Sequence, residues 1–211
     1  MIDLQRKLLH VSQQTNAQDI TEHLSTLRSY ASRCGHVTEM GVRQMVSTWV
    51  FLAGQPKILR SYDMTHPRNL AAGDVFNEAV NAANDNRIDF RFIEQDVLEA
   101  NIAQTDLLFI DTWHVYKQLK AELKLHSSKV NKWIILHDTT GCAYRDESGY
   151  EEVYGEKFSN PTPIDKPQGI GLWPAVEEFL HANRDDWRLL ERFHNCQGLT
   201  ILERITNKRS Y

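Results

Sequence analysis

The chain contains no Cys-x-x-Cys pair, no Gly-x-Gly-x-x-Gly turn, no His-Glu-x-x-His helix and no long apolar run. Each absence removes a class of function. Cysteine is scarce: Cys34, Cys142 and Cys196 are far apart and odd in number, so a full disulfide framework is excluded. The expectation is free thiols in a reducing compartment, and hence a cytoplasmic protein. The longest apolar stretches, such as Leu107-Leu108-Phe109-Ile110, are far too short to span a bilayer. Residues Met1 to Gln14 lack the apolar stretch of a signal peptide, so no membrane partner is expected. A dominant charge is missing too. With 24 basic and 28 acidic residues the net charge is -4, and no concentrated basic face points to nucleic acid. Without His-Glu-x-x-His there is no sign of a metallohydrolase of that type, and without the glycine fingerprint there is no dinucleotide pyrophosphate cradle. No repeat or low-complexity stretch occurs.

What is present is one domain's worth of core. Of the 211 residues, 41% are hydrophobic, enough for a single domain over 1–211 with a sizeable buried interior. Residues 1–34 read as an N-terminal helical segment, with a helix at about 16–33 that Thr15 or Asn16 could cap. Strands are expected at His36–Glu39, Lys57–Tyr62, Phe90–Ile93, Asp106–Asp111 and Trp133–Leu136. Helices are expected at Met45–Ala53, Leu70–Asn84, Trp113–His126 and Trp173–Ala182. Two closing strands, Trp187–Phe193 and Leu199–Glu203, flank the turn Asn195-Cys196-Gln197-Gly198. Between Thr139 and Gly169 lies a polar stretch read as an inserted loop. Its length, its position after the fifth strand and Tyr144, Tyr150, Tyr154 and Phe158 suggest acceptor recognition and closure, with high mobility when no ligand is bound. Alternating strands and helices predict an α/β fold, a doubly wound, mostly parallel seven-stranded sheet with a C-terminal antiparallel hairpin.

In such sheets ligands bind at the carboxyl ends of the strands. Here those ends carry Glu39, Asp63, Asp96, Asp111 and His137-Asp138. Fold stability gives little reason to crowd one rim with like charges, so a ligand rich in hydroxyls and amines, or a cation, is expected there. Gly41 permits a sharp turn and a close backbone approach. Asp63 follows it by 22 residues, a spacing at which a carboxylate can accept from ribose hydroxyls. Asp96 either faces an adenine amino group or caps its own turn.

Glu39-Met40-Gly41, Tyr62-Asp63, Gln95-Asp96-Val97 and Leu107-Leu108-Phe109-Ile110-Asp111 together resemble the ordered motifs of class I S-adenosylmethionine (SAM)-dependent methyltransferases. Asp111-Thr112-Trp113-His114-Val115-Tyr116 and Ile134-Ile135-Leu136-His137-Asp138-Thr139 are narrower. They resemble the branch with an Asp-x-x-His motif, related to cephalosporin hydroxylase-like and macrolide-sugar O-methyltransferases. The resemblance runs from about Gly35 to Arg204. It implies a Rossmann-like methyltransferase fold with SAM as cofactor and a small hydroxylated molecule as acceptor. Glu39 and Gly41, with Ser47 in the following helix, would line the methionine end of the cofactor. Asp63 would hold the ribose, Asp96 and Val97 would flank the adenine, and Asp111 would stand beside the reacting centre. A divalent cation, Mg²⁺, Mn²⁺ or another, would be held by Asp111, His137 and Asp138. The chain departs from the family pattern in its single turn glycine, in Thr112 where a glycine is usual, and in His137 where an acid is usual. Two aspartates and a histidine suit Mn²⁺, Fe²⁺ or Zn²⁺ at least as well as Mg²⁺.

Methyl transfer from a sulfonium needs alignment and, for a hydroxyl acceptor, a proton acceptor. His114, placed one helical turn past Asp111, is the candidate base, or else a packed histidine. Trp113 is either cofactor wall or core, and Asp138 either a ligand or a loop cap. The rival readings are a nucleotide-dependent oxidoreductase on a similar sheet and a non-catalytic binding or assembly module that keeps the fold. A homo-oligomer is compatible with either.

Overall fold

The computed structural model describes residues 3–14, 19–70, 73–148 and 170–205. Its centre is β4 (Thr105–Ile110), whose apolar run is buried on both faces as a central parallel strand requires. On one side β4 pairs in parallel with β1 (His36–Met40), which pairs in parallel with β2 (Ile58–Asp63), and that with β3 (Asp89–Glu94). On the other side β4 pairs in parallel with β5 (Val130–His137). Beyond β5 lies β7 (Leu199–Arg204), antiparallel to both β5 and the edge strand β6 (Trp187–Phe193). The order is therefore β3-β2-β1-β4-β5-β7-β6, a seven-stranded sheet with the expected closing hairpin. Its direction of winding reverses between β1 and β4, which opens a crevice at their carboxyl ends.

Helices cover both faces. On one face α1 (Leu4–Gln14) and α2 (Leu24–Ala31) pack on α3 (Val46–Gly54), which also touches α4 (Gly73–Asp85). Trp49, Phe51 and Leu52 of α3 are fully buried there with Leu27, Leu59 and Phe109. On the other face α5 (Tyr116–His126) packs on α6 (Leu172–Ala182), burying Leu119, Leu123, Val176 and Trp187 against Leu108 and Ile134.

Several boundaries differ from the sequence reading. The helix expected over 16–33 is a short 3-10 turn, Thr21–His23, followed by α2, and Thr15 and Asn16 lie outside the described residues. The helix α1 precedes it, burying Leu4 and Leu8 four residues apart. The helix expected at Trp113 begins only at Tyr116, after extended backbone at Val115. His114 is thus a loop residue and not one helical turn past Asp111. Residues 149–169, most of the expected inserted loop, lie outside the described residues. No helix among the described residues is long and apolar enough to cross a membrane.

Candidate active site

The turn from β1 into α3 runs directly over the crevice. Gly41 adopts φ +87°, and a Cβ there would stand 1.9 Å from the Asp111 carbonyl oxygen, so only glycine fits. The Gly41 amide donates to the Tyr62 carbonyl at 2.9 Å and the Asp111 amide to the Met40 carbonyl at 2.8 Å, which knits β1, β2 and β4 together at their ends. Arg43 (φ +41°) and Met45 (φ +67°) are left-handed as well. The chain therefore bends at residues 41, 43 and 45 as a glycine-rich turn would, with one glycine in place of several.

Asp63 pins this turn. Its Oδ2 accepts from the Val42 amide at 2.8 Å and the Arg43 amide at 3.1 Å, while Oδ1 accepts from Thr65 at 2.9 Å. Oδ2 thereby uses both of its lone pairs, whereas Oδ1 keeps one, with which the group can still accept from a hydroxyl in the crevice. Asp96 caps its own turn through the Leu98 amide at 2.8 Å, and it also lines the crevice. The resulting cleft, about 800 Å³ with its open mouth, is lined by Gly41, Asp63, Asp96, Val97 and Asp111, with Trp113 and Gln118 completing one wall. Five of the residues singled out from the sequence thus meet in one cavity. Ser47 lines the adjoining hollow with Asp19, Arg43 and Asp111.

Glu39 corrects an expectation. It does not line the cleft but lies fully buried beneath it. Its carboxylate accepts from Ser47 Oγ (2.5 Å), Thr48 Oγ1 (2.8 Å) and Ser61 Oγ (2.5 Å). It therefore ties the first turn of α3 to β2, acting on the site through the turn it supports. Burial pushes its pKa up to about 7 in spite of the three hydroxyl donors.

Beside the cleft, where β4 and β5 end, four side chains converge. His114 Nε2 lies 3.1 Å from Asp111 Oδ1 and 3.1 Å from Asp138 Oδ2, and its Nδ1 lies 2.8 Å from Glu147 Oε2. His137 Nδ1 lies 2.9 Å from Asp138 Oδ2 and 3.4 Å from Asp111 Oδ1. Asp138 reaches this position through a left-handed backbone, φ +57°. Burial opposes charge on His114, but its bonds to Asp111 and Glu147 and the nearby Asp138 raise its pKa to about 10. Burial likewise opposes charge on His137, and Asp111 and Asp138 together raise it. Burial disfavours the Asp111 carboxylate, yet the two imidazoles hold it well below the usual carboxylate range. A ring so held keeps both of its protons and has no lone pair with which to take another.

Glu147 escaped the sequence reading. So did Glu122, fully buried, which accepts from Thr112 Oγ1 at 2.6 Å and Gln118 Nε2 at 2.8 Å and so braces two residues of the cleft wall. An acid at an interior helix position such as Glu122 was the available signal. Glu147 had none, since it sits in an aperiodic polar stretch.

No family model matches the sequence, and no curated protein does. Solved structures do match. A Staphylococcus aureus protein assigned as a caffeoyl-CoA O-methyltransferase superposes with a TM-score of 0.57 at 13% identity, over 93% of this chain and 96% of that one. This chain has the class I methyltransferase fold. An O-methyltransferase from Bacillus cereus in complex with S-adenosylhomocysteine (SAH) shares the methyltransferase fold at TM-score 0.52 and 11% identity, over 97% and 92% of the two chains. A Podospora anserina methyltransferase with SAH bound matches at TM-score 0.52 and 13% identity, over 97% and 89%.

Proposed function

We propose that the protein is a SAM-dependent methyltransferase that transfers a methyl group to the hydroxyl of a small molecule. One observation carries the reading: Gly41, Asp63, Asp96, Val97 and Asp111, delivered by four different strands, line a single cleft where the sheet reverses its winding. Asp63 offers a carboxylate to ribose hydroxyls, Asp96 and Val97 stand where the adenine would lie, and Trp113 and Gln118 form the wall beside them. Gly41 brings the backbone close to the methionine end, with Ser47 in the adjoining hollow. The names of the structural neighbours support an oxygen acceptor.

The acceptor oxygen attacks the methyl carbon in line, and sulfur departs as the neutral thioether of SAH. Holding the two partners in that line supplies much of the acceleration. Asp111 and His114 are the residues assigned to the acceptor's proton, which the imidazole can accept only after giving up the proton that its carboxylate neighbours hold on it. The donor atoms of Asp111, His137 and Asp138 lie within 4.8 Å of one another, so these three side chains fit a divalent cation. Bound there, such an ion would act as a Lewis acid on the acceptor oxygen.

The test is calorimetry of the purified protein with SAM, SAH and NAD in parallel. Binding of SAM and SAH but not NAD is the expected result. Failure to bind either adenosyl compound would leave the fold as a non-catalytic module, and binding of NAD alone would favour an oxidoreductase.

A further inference from the structure

Helix α5 carries three polar residues, spaced four apart, on a buried face. Gln118, Glu122 and His126 stand at i, i+4 and i+8, beside the apolar seam of Leu119 and Leu123. Packing alone gives no reason for polar groups there, since a buried polar group costs stability unless it is paired. All three are engaged. His126 Nε2 donates to the Val97 carbonyl at 2.8 Å, which ties α5 to the turn after β3. Gln118 Nε2 donates to Glu122 Oε1 at 2.8 Å, and Thr112 Oγ1 donates to the same oxygen at 2.6 Å.

This pairing fixes which way the Gln118 amide points. A carboxylate only accepts, so the NH₂ end faces Glu122 and the carbonyl end faces away. Burial and, to a lesser degree, the Asp96 carboxylate push the Glu122 pKa up to about 7. A proton taken up there goes to Oε2, because both donors occupy Oε1. Glu122 Oε2 is buried and has no hydrogen-bond partner among the described residues. Glu122 Oε1 therefore accepts in either state. The Gln118 carbonyl oxygen makes no hydrogen bond among the described residues either, but it is not sealed off, and its residue lines the cleft with Asp96 and Val97. Its lone pairs thus open into that end of the cleft. The Gln118 carbonyl and the Asp96 carboxylate are both acceptors. A purine edge that meets them must donate, as the 6-amino group of adenine does, whereas a 6-oxo purine presents an acceptor at the same place.

We infer that Gln118, held in one orientation by Glu122, reads the amino group of the purine and makes the cleft selective for adenosyl over inosyl compounds. Gln118 touches the base, and Glu122 is a positioning residue behind it. The inference rests on the methyltransferase reading for the identity of the ligand.

The purified, full-length protein is titrated by calorimetry with SAH and with S-inosylhomocysteine, its 6-oxo analogue. The wild type should bind SAH about 10–100-fold more tightly, because the analogue sets acceptor against acceptor. Gln118→Met keeps the bulk of the wall and removes the acceptor, so it should narrow that preference about tenfold, chiefly by weakening SAH. In Glu122→Gln either end of the new amide can face Gln118, which is then free to turn its NH₂ group toward the base. S-inosylhomocysteine should bind this variant more tightly than the wild type, and SAH more weakly. A residue that merely braced the wall would weaken both ligands alike. Thermal melts report whether each variant is folded. Equal affinity of the wild type for the two ligands, an unchanged preference in folded Gln118→Met, or parallel weakening in Glu122→Gln would each overturn the inference. Wild-type protein that binds no SAH would overturn it together with the methyltransferase reading, whereas SAH binding without selectivity overturns the inference and leaves that reading standing.

Discussion

Replacing Glu39 with glutamine should change how the stability of this protein depends on pH. Glu39 is fully buried, and burial moves its pKa from 4.5 to about 7. At ~1.4 kcal/mol for each tenfold change in proton affinity, that displacement is worth roughly 3 kcal/mol. The folded chain holds this proton to higher pH than the unfolded chain does. The contribution to stability is therefore fully present below pH 4.5 and is lost as pH rises through about 7. Glutamine cannot ionise; its oxygen can still accept from the hydroxyls of Thr48 and Ser61, and its amide nitrogen can donate to the Ser47 hydroxyl. Urea unfolding of both proteins across this window isolates the group, because every other titration is common to the pair. The wild type should lose up to roughly 3 kcal/mol relative to Glu39→Gln as pH rises from the lower to the upper value. Parallel stability curves would show that Glu39 does not keep its proton in the fold, and the account of its burial would fail.

Gly41→Ala should abolish SAH binding in calorimetry and lower the unfolding midpoint, because its Cβ would meet the Asp111 carbonyl at 1.9 Å. Unchanged binding would mean that the turn is not the floor of the cleft. Asp63→Asn should raise the SAH dissociation constant about 10–100-fold, the loss expected when charge-assisted hydrogen bonds become neutral. A change below twofold would remove Asp63 from the ribose site. Arg43→Gly should stabilise the protein by ~0.5–1 kcal/mol, since glycine relieves the left-handed backbone and the exposed 3.5 Å pair with Asp19 contributes little. Denaturation showing a clear loss would mean that the Arg43 side chain is needed more than its backbone is strained.

The sheet was legible where a strand is buried on both faces. Leu107 to Ile110 could hardly be anything else, and the acids that close β2 and β4 marked the crevice. The closing hairpin was announced by its turn residues. Less visible was the turn after β1, because Arg43 and Met45 occupy a conformation that glycine usually takes. Their side chains hide a backbone shape that the structure displays plainly, and any comparison keyed to glycine spacing passes over it. Position along the chain misled for His114. It was placed by helical spacing, yet it reaches Asp111 from a loop in which the Val115 amide donates to the Trp113 carbonyl at 2.8 Å. Glu147 is brought in by tertiary contacts alone, its amide donating to the His114 carbonyl at 3.0 Å, and local pattern carries no trace of such a contact. Glu39 was recognised as an acid at a strand end, but whether such an acid faces ligand or core depends on Ser47, Thr48 and Ser61 being there to receive it.

Asp146 has a wider consequence. One of its oxygens accepts from the Tyr116 amide at 2.8 Å and from the Gly171 amide at 2.9 Å. The Leu172 and Trp173 amides donate to the carbonyls of Cys142 and Ala143, each at 2.8 Å. The backbone on either side of residues 149–169 is thereby clasped at one spot, next to the ring of histidines and aspartates. Bringing the ends of a chain segment together costs an entropy that grows only slowly with its length, so a clasp of this kind need not set how many residues lie between its halves. The two flanks thus hold each other in place beside the sheet end by their own hydrogen bonds, as a buckle holds both ends of a strap.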